Sequence, residues 1–319
     1  MMQNSFKIGL LGLGFMGKRH LEASGLLPGI EVVTRSSPPF DKLPAQDYST
    51  LCKAMIEDPT IDAIDICLPT GMHASMAIAA LDAGKHVLCE KPMALTPEDC
   101  FRMLRARDRS RGVLMVAHVL RFWPAYRFLH EVVACRAYGA IGSLSLIRKS
   151  GVPGWAPWLL RPEESGGAIL DLLVHDFDQA LFLFGMPESA TARTLDSPNV
   201  MECSLHYPGG VEVAIAGGWY DGDVPFAMGF ELRASGGALR YAGGHLQLLR
   251  PSEPIAEVAL SAVDPYAKQL GYFIDCCRNN VAPSECTPES SAQAVELART
   301  IAALAQSPQA RQRIALKAK

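Results

Sequence analysis

The sequence predicts an α/β chain in two domains: a doubly wound parallel sheet first, then an α+β domain with an open, mostly antiparallel sheet. Three observations predict it. Over roughly the first 120 residues, apolar runs of strand length alternate with helical stretches. The first of those runs leads straight into Gly12-Leu13-Gly14-Phe15-Met16-Gly17. Beyond about residue 140 the apolar runs are short and separated by Gly, Pro and Asp, which suits hairpins rather than crossovers.

In chain order, residues 6–11 form an apolar strand, and the glycines after it open a helix over roughly 16–25. A second strand spans 30–34. A Pro/Ser-rich loop then runs to Asp47, and Ser49 caps a helix ending at Glu57. Strand 61–68, helix 73–83 and the strand ending at Glu90 follow. Thr96-Pro97-Glu98 is a helix start: threonine caps, proline suits the first turn, and acids favour the positive end of the dipole. That helix reaches about Arg109, and 113–118 is one more strand. The domain boundary falls near residue 120, giving domains of 1–120 and 121–319. In the second domain, strands are expected at 142–148, 191–195, 201–207, 211–216 and 230–234. Helices are expected at 167–184, 266–279 and 290–306.

Composition excludes several classes. The 319 residues suffice for two domains with sizeable cores. Apolar residues make up 49% and charged residues 20%, as in ordinary globular chains. A net charge of −3 without blocks of like charge points away from nucleic acid and membrane surfaces. No apolar run is long enough for a transmembrane helix. The start is broken by four glycines, unlike a secretory leader. Nine scattered cysteines without a CxxC read as reduced thiols, so a cytoplasmic protein is expected.

Three constellations carry chemistry. In the GxGxxG turn, Gly12, Gly14 and Gly17 permit close backbone approach to a pyrophosphate, with Phe15 and Met16 at the helix start. The strand at 30–34 ends in Arg35-Ser36-Ser37 instead of the acid that would accept from a ribose 2′-OH. Arginine and hydroxyls suit a 2′-phosphate, so NADP is favoured with NAD possible; the plain alternative makes Arg35 a solvated charge. The second constellation is Glu90-Lys91-Pro92, where a buried strand delivers two charges to the edge at which α/β sheets bind ligands. A solvated charge pair at a strand exit would look alike. The third is Asp171 and His175, four apart on a predicted helix and separated by Leu172-Leu173-Val174. A carboxylate beside an imidazole orients a general base, and Asp178 could hold the other ring nitrogen. The plain alternative is an ordinary helix-stabilising pair. No metal ligand set is evident.

Together these three motifs resemble the glucose–fructose oxidoreductase / inositol dehydrogenase / rhizopine catabolism (Gfo/Idh/MocA) family. Segments such as Leu68-Pro69-Thr70, His73-Ala74 and Ala83-Gly84-Lys85-His86-Val87 extend the likeness over nearly the whole chain. The resemblance implies a Rossmann domain, then an antiparallel-sheet domain whose outer face builds homodimers or homotetramers. It implies catalytic roles for Lys91, Asp171 and His175: Lys91 polarises the substrate oxygen, His175 moves the proton and Asp171 supports both. It also brings Pro69, Thr70, His73 and Glu90 to the cofactor. The implied reaction is hydride transfer between nicotinamide and a secondary alcohol or carbonyl of a sugar, cyclitol or derivative. Alternatives are an NAD-dependent glycosidase using transient oxidation, and a non-catalytic cofactor-binding regulator. Trp155, Trp158 and Arg161 lie in a short stretch before Gly166 and are candidate substrate contacts, as are Arg121 and Trp123 near the domain boundary. His118 and Tyr126 beside them fit either a site or packing. Between Ser37 and Asp47 there is no room for the family's usual helix, so the sheet edge there is expected to be altered.

Overall fold

The computed structural model describes residues 5–34, 45–195, 197–307 and 314–315. Two compact units emerge. The first comprises Met1–Phe122 with Val263–Ala292, and the second Trp123–Ala262 with Gln293–Lys319.

The first unit is built on five parallel strands: β1 (Phe6–Leu11), β2 (Ile30–Thr34), β3 (Ala63–Ile66), β4 (His86–Glu90) and β5 (Leu114–Ala117). Their order is β2-β1-β3-β4-β5. The chain leaves β1 to one side for β2, then returns to place β3 on the other side, with Gly9 registered against both Val33 and Ile64. This reversal makes the carboxyl ends of β1 and β3 a topological switch point, where such sheets bind ligands. Helices α1 (Phe15–Ser24), α2 (Ala45–Ile56), α3 (Thr70–Asp82) and α4 (Pro97–Arg109) make the connections. Strands β3 and β5 are buried throughout, as expected for a parallel sheet covered on both faces. Among the described residues the sheet ends at β2; residues 37–44, most of the stretch expected to be too short for a helix, lie outside the described residues.

One face of this sheet packs against a helix from far along the chain. Helix 265–279 places Leu270, Phe273 and Ile274 on Ile8, Leu88 and Met115. Asp264 starts that helix, its carboxylate accepting from the backbone of Tyr266 and Ala267 at 2.9 Å each. The sequence reading assigned everything beyond residue 120 to the second domain. The structure groups 263–292 with the first unit because this sheet face needs a cover.

In the second unit, α5 (Pro124–Ala134) precedes β6 (Ile141–Gly151). Short helices α6 (Pro162–Ser165) and α7 (Gly167–Asp171) then lead to α8 (Val174–Phe184). Strands β7 (Ser189–Thr194), β8 (Val200–His206), β9 (Glu212–Tyr220), β10 (Ala227–Ala234), β11 (Gly237–Ala242), β12 (His245–Leu249), β13 (Ala256–Val258) and β14 (Ile314–Ala315) complete a nine-stranded sheet. Its order is β13-β12-β11-β10-β6-β9-β8-β7-β14. All pairs are antiparallel except the central one, where β6 runs parallel to β9 from Ser143↔Glu212 to Gly151↔Tyr220. Along β6, Leu144 and Leu146 face inward while Ile147 is 50% exposed, the alternation of a sheet covered on one face. The helix 265–279 is α9, and α10 (Pro288–Gln306) closes the helical complement. No helix among the described residues is long and apolar enough to cross a membrane.

Two elements differ from their expected form: Ser49, expected to cap a helix, lies inside α2, which begins at Ala45, and the helix expected at 167–184 is interrupted. Residues 167–184 were read as one helix. The chain instead breaks at Leu172-Leu173, where both the Leu172 and Leu173 amides donate to the Ala168 carbonyl, at 2.9 and 3.1 Å. The second of these is a five-residue step, the signature of a π-type bulge. Asp171 therefore ends α7, and His175 lies in the first turn of α8.

Candidate functional site

The glycine turn shows why each glycine is needed. Gly12 has φ +95°, and a Cβ there would lie 2.4 Å from the Cys67 carbonyl oxygen. A Cβ on Gly17 would come within 1.8 Å of Gly12's own carbonyl oxygen, so turn and helix meet without room for a methyl. At Gly14 a Cβ would meet nothing within 4 Å. Two of these glycines serve packing, and the third leaves open space in front of the helix. Gly14 occupies the N-cap of α1, with no side-chain cap and no acid in the first turn. The first amides of α1 thus point into that space, the donor set that suits a pyrophosphate. Helix α3 repeats the pattern at the carboxyl end of β3: Pro69 stands at its N-cap, again with neither side-chain cap nor acid. These residues fit a dinucleotide. Phe15 is exposed and Met16 half-buried, whereas Thr70 is buried. Arg35, Ser36 and Ser37, on which the NADP reading rests, lie outside the described residues.

Two expected cofactor contacts have other work. His73 is 1% exposed, and its ring nitrogens lie 2.8 Å from the carbonyl oxygens of Pro92 and Leu68. It braces the end of β3 against the segment after β4; burial lowers its pKa, so the ring is neutral and donates to one of the two carbonyls. Glu90 is 5% exposed, with one carboxylate oxygen 3.1 Å from His20 Nε2 and the other accepting from the Lys91 amide at 3.1 Å. Lys91 follows, half-buried, joined to Pro92 by a cis peptide bond.

His20 itself was missed by sequence reasoning. It sits in the last half of α1 with Nδ1 2.8 Å from Asp65 on β3, both side chains 3% exposed. Burial disfavours its charged form, but the Asp65 carboxylate and then Cys67 outweigh this and lift its pKa well above the usual value. Glu90 is the mirror case: burial works against the carboxylate, yet the His20 hydrogen bond and charge, with Lys91 beyond, bring its pKa below normal. The one available signal was Asp65 itself, an acid in the middle of an otherwise apolar buried strand. The same surroundings push the Cys67 thiol up to about 12, burial acting first and Asp65 second, so it is neutral at ordinary pH.

In the second unit, Asp171 and His175 are each half-buried, one on either side of the bulge. The residue after His175 is anchored firmly. Asp176 is fully buried and pairs with Arg148 of β6, which is 3% exposed, through contacts of 2.8 and 3.3 Å. This pair, also unread in the sequence, fixes the start of α8 on the sheet. Asp178 is 1% exposed, beside Gln179 at 3.5 Å.

The expected substrate contacts divide. Arg121 lies in the 3-10 turn after β5. It is 1% exposed, and its guanidinium donates to the Glu285 carbonyl at 2.8 Å and the Ser290 hydroxyl at 3.0 Å, tying this turn to the α9–α10 loop and the first turn of α10. Trp123 donates from its indole to the Tyr241 hydroxyl at 3.2 Å. Tyr126 is fully buried, edge-on to Phe230 and Tyr241 at 5.1 and 6.0 Å, so it belongs to the core. Trp158 packs on Ala156, Leu159, Ala168 and Trp219. Trp155 is 68% exposed. Arg161 is exposed and held by Glu164 at 2.6 and 2.8 Å, a solvent-screened surface pair that can re-form around a ligand.

Comparison with known proteins adds the family. Residues 6–118 match the domain described as an oxidoreductase family with an NAD-binding Rossmann fold, and residues 126–240 match the GFO/IDH/MocA C-terminal domain. Levoglucosan dehydrogenase of Pseudarthrobacter phenanthrenivorans is 32% identical over 207 residues, covering 58% of this chain and 52% of that protein. Myo-inositol 2-dehydrogenase of Thermotoga maritima is 30% identical over 216 residues, covering 66% and 63%. The chain thus spans about half to two thirds of the length of these curated relatives. The solved aldose-aldose oxidoreductase of Caulobacter crescentus superposes with a TM-score of 0.85 at 18% identity, over 98% of this chain and all of that one, and so shares the fold. With both domain matches in chain order on a Rossmann unit and a mostly antiparallel nine-stranded sheet, the chain belongs to the Gfo/Idh/MocA oxidoreductase family.

Proposed function

We propose that this protein is an NAD(P)-dependent dehydrogenase or reductase acting on a secondary alcohol or carbonyl of a sugar, cyclitol or sugar derivative. The observation that carries it is the sheet edge of the first unit. There an uncapped helix end behind a sterically obligatory glycine turn shares the carboxyl ends of the strands with Lys91. The family and its named sugar and inositol dehydrogenases supply the substrate class.

The bound nicotinamide would supply the hydride chemistry. The chain's residues then have separable tasks. Gly12, Gly14 and Gly17 with the first amides of α1 would hold the pyrophosphate, and the start of α3 offers a second uncapped helix end. Lys91 would place its ammonium on the substrate oxygen, favouring the oxyanion as the carbon is oxidised or stabilising it before reduction. His175 would take or give the hydroxyl proton, and Asp171 would support the charge that His175 gains. The adenosine end would carry a 2′-phosphate on Arg35, Ser36 and Ser37, making NADP the preferred cofactor. Trp155 and Arg161 remain suited to a sugar face and its oxygen-rich rim. The exposed outer face of the β6-containing sheet would join copies into a homodimer or homotetramer, and a cytoplasmic location suits the chemistry.

The test is a spectrophotometric screen of sugars and polyols against both cofactors, with wild type and Lys91→Ala. Lys91→Ala should bind cofactor normally and lose turnover by about 100-fold or more. Near-normal turnover in that variant, or no cofactor reduction or oxidation with any substrate, overturns the reading. A wild type that prefers NADH, unchanged by Arg35→Ala, overturns the NADP assignment alone.

A further inference from the structure

His20 stands between two buried carboxylates that have no obvious reason to be buried together. Its Nδ1 lies 2.8 Å from Asp65 Oδ2, and its Nε2 lies 3.1 Å from Glu90 Oε1. All three side chains are at least nine-tenths buried. A carboxylate only accepts, so both ring nitrogens must carry protons and the ring is an imidazolium. The other oxygen of Glu90 accepts from the Lys91 amide at 3.1 Å. A continuous hydrogen-bonded path therefore runs from β3 through α1, the helix opened by the glycine turn, to the backbone of Lys91.

We propose that His20 is a positioning residue for Lys91, its imidazolium holding the Glu90 carboxylate in the orientation that fixes the Lys91 backbone and ties it to the cofactor-binding helix. This rests on the reading of Lys91 as the residue that polarises the substrate oxygen. The charges balance within the cluster: Asp65 and Glu90 against His20 and Lys91. The groups facing His20 from the surrounding elements are Asp65 and the neutral Cys67 at the end of β3, Glu90 on β4, and Tyr266 of α9 with ring centroids 6.3 Å apart. None of these but the two carboxylates demands a charged ring. A neutral residue at position 20 would leave Glu90 buried without its cation. The carboxylate would then turn toward the Lys91 ammonium or take up a proton, and either change displaces the lysine from its working position.

The ionisation state is read on the wild-type protein by long-range 15N–1H spectra of ring-labelled histidine at pH 7.5, with His20→Gln assigning the signal. The expected pattern is two protonated ring nitrogens; a single neutral tautomer overturns the proposal. Kinetics give the second arm. His20→Gln should lower kcat by about ten- to a hundred-fold, the scale of a misplaced catalytic group, while cofactor Kd stays within about three-fold. The double variant His20→Gln/Glu90→Gln, which removes the orphaned charge, should recover part of the lost kcat. A kcat for His20→Gln within about two-fold of wild type, or a loss explained wholly by weaker cofactor binding, overturns the proposal. Lys91→Ala measured alongside separates the two readings. If it is inactive and His20→Gln is normal, only the positioning role fails; if Lys91→Ala turns over normally, both fail.

Discussion

Two helix N-termini of the first unit, those of α1 and α4, are built on opposite plans. At α4 the chain supplies everything: Thr96 Oγ accepts from the Asp99 amide at 3.1 Å, Pro97 fills the first turn, and Glu98 and Asp99 face the positive end of the dipole. At α1 it supplies nothing: a glycine N-cap, no side-chain acceptor and no acid. The α4 terminus is capped by the chain's own side chain, while that of α1 has no side-chain cap and no acid, the plan that suits an anionic ligand. A capping side chain is worth about 1 kcal/mol over alanine but only a few tenths over glycine, so its absence from α1 is a small stability cost that a ligand can offset.

The comparison makes graded predictions. The largest effect is expected where the open plan depends on bare backbone. Gly17→Ala would set a methyl 1.8 Å from the Gly12 carbonyl oxygen, so the turn must distort. Dinucleotide affinity should fall by about 100-fold or more, with about 1–3 kcal/mol lost in denaturant unfolding. Gly14→Asp tests the contrast directly, because its backbone is extended, φ −69° and ψ −161°, and its Cβ enters open space. The new carboxylate should cap α1 and raise stability by about 0.5–1 kcal/mol while weakening cofactor binding at least about ten-fold by occupying and repelling at the pyrophosphate position. If stability rises and binding is unchanged, the phosphate site lies elsewhere. Thr96→Ala should cost about 1 kcal/mol and leave cofactor affinity alone.

A smaller effect concerns pH. His20 has a folded pKa above its unfolded value. Its stabilisation is therefore complete below the unfolded imidazole value of about 6.5 and is lost as pH rises through the folded value. Glu90, lowered on folding, contributes above the unfolded carboxylate value of about 4.3 and loses that contribution as pH falls. Unfolding free energies of His20→Gln should accordingly decline less than wild type between neutral and alkaline pH. An identical alkaline slope would show that His20 carries no raised pKa.

Local chemistry made much of this legible in the sequence. The Thr96-Pro97 start, the glycine turn and the alternating strands announce themselves within a few residues, because capping, φ restriction and periodicity are short-range effects. What could not be read is what depends on a distant partner. His20, Asp65 and Glu90 are separated by 45 and 70 residues, and nothing in α1 names β3 or β4 as its neighbour. The apolar face of α9 announces burial but not against which sheet. The bulge at Leu172-Leu173 hides in good helix formers, and the partners of Arg121, Glu285 and Ser290, arrive from beyond residue 280. The roles of Lys91, Asp171 and His175 rest on family likeness, and Lys91→Ala tests the first of them.

Strand β6 has a consequence for how the chain reaches this state. Its two neighbours are β9 and β10, so neither partner exists until the ribosome has added some sixty or more residues beyond it. The meanders β7-β8-β9 and β10-β11-β12 can zip locally, but the seam between them closes only when β6 is inserted, against the entropy of a long loop. During that interval Leu144, Leu146 and Ile147 form an unpaired apolar edge, with Arg148 and Lys149 immediately after them as charged guards against premature association. In the folded chain Arg148 is the buried partner of Asp176.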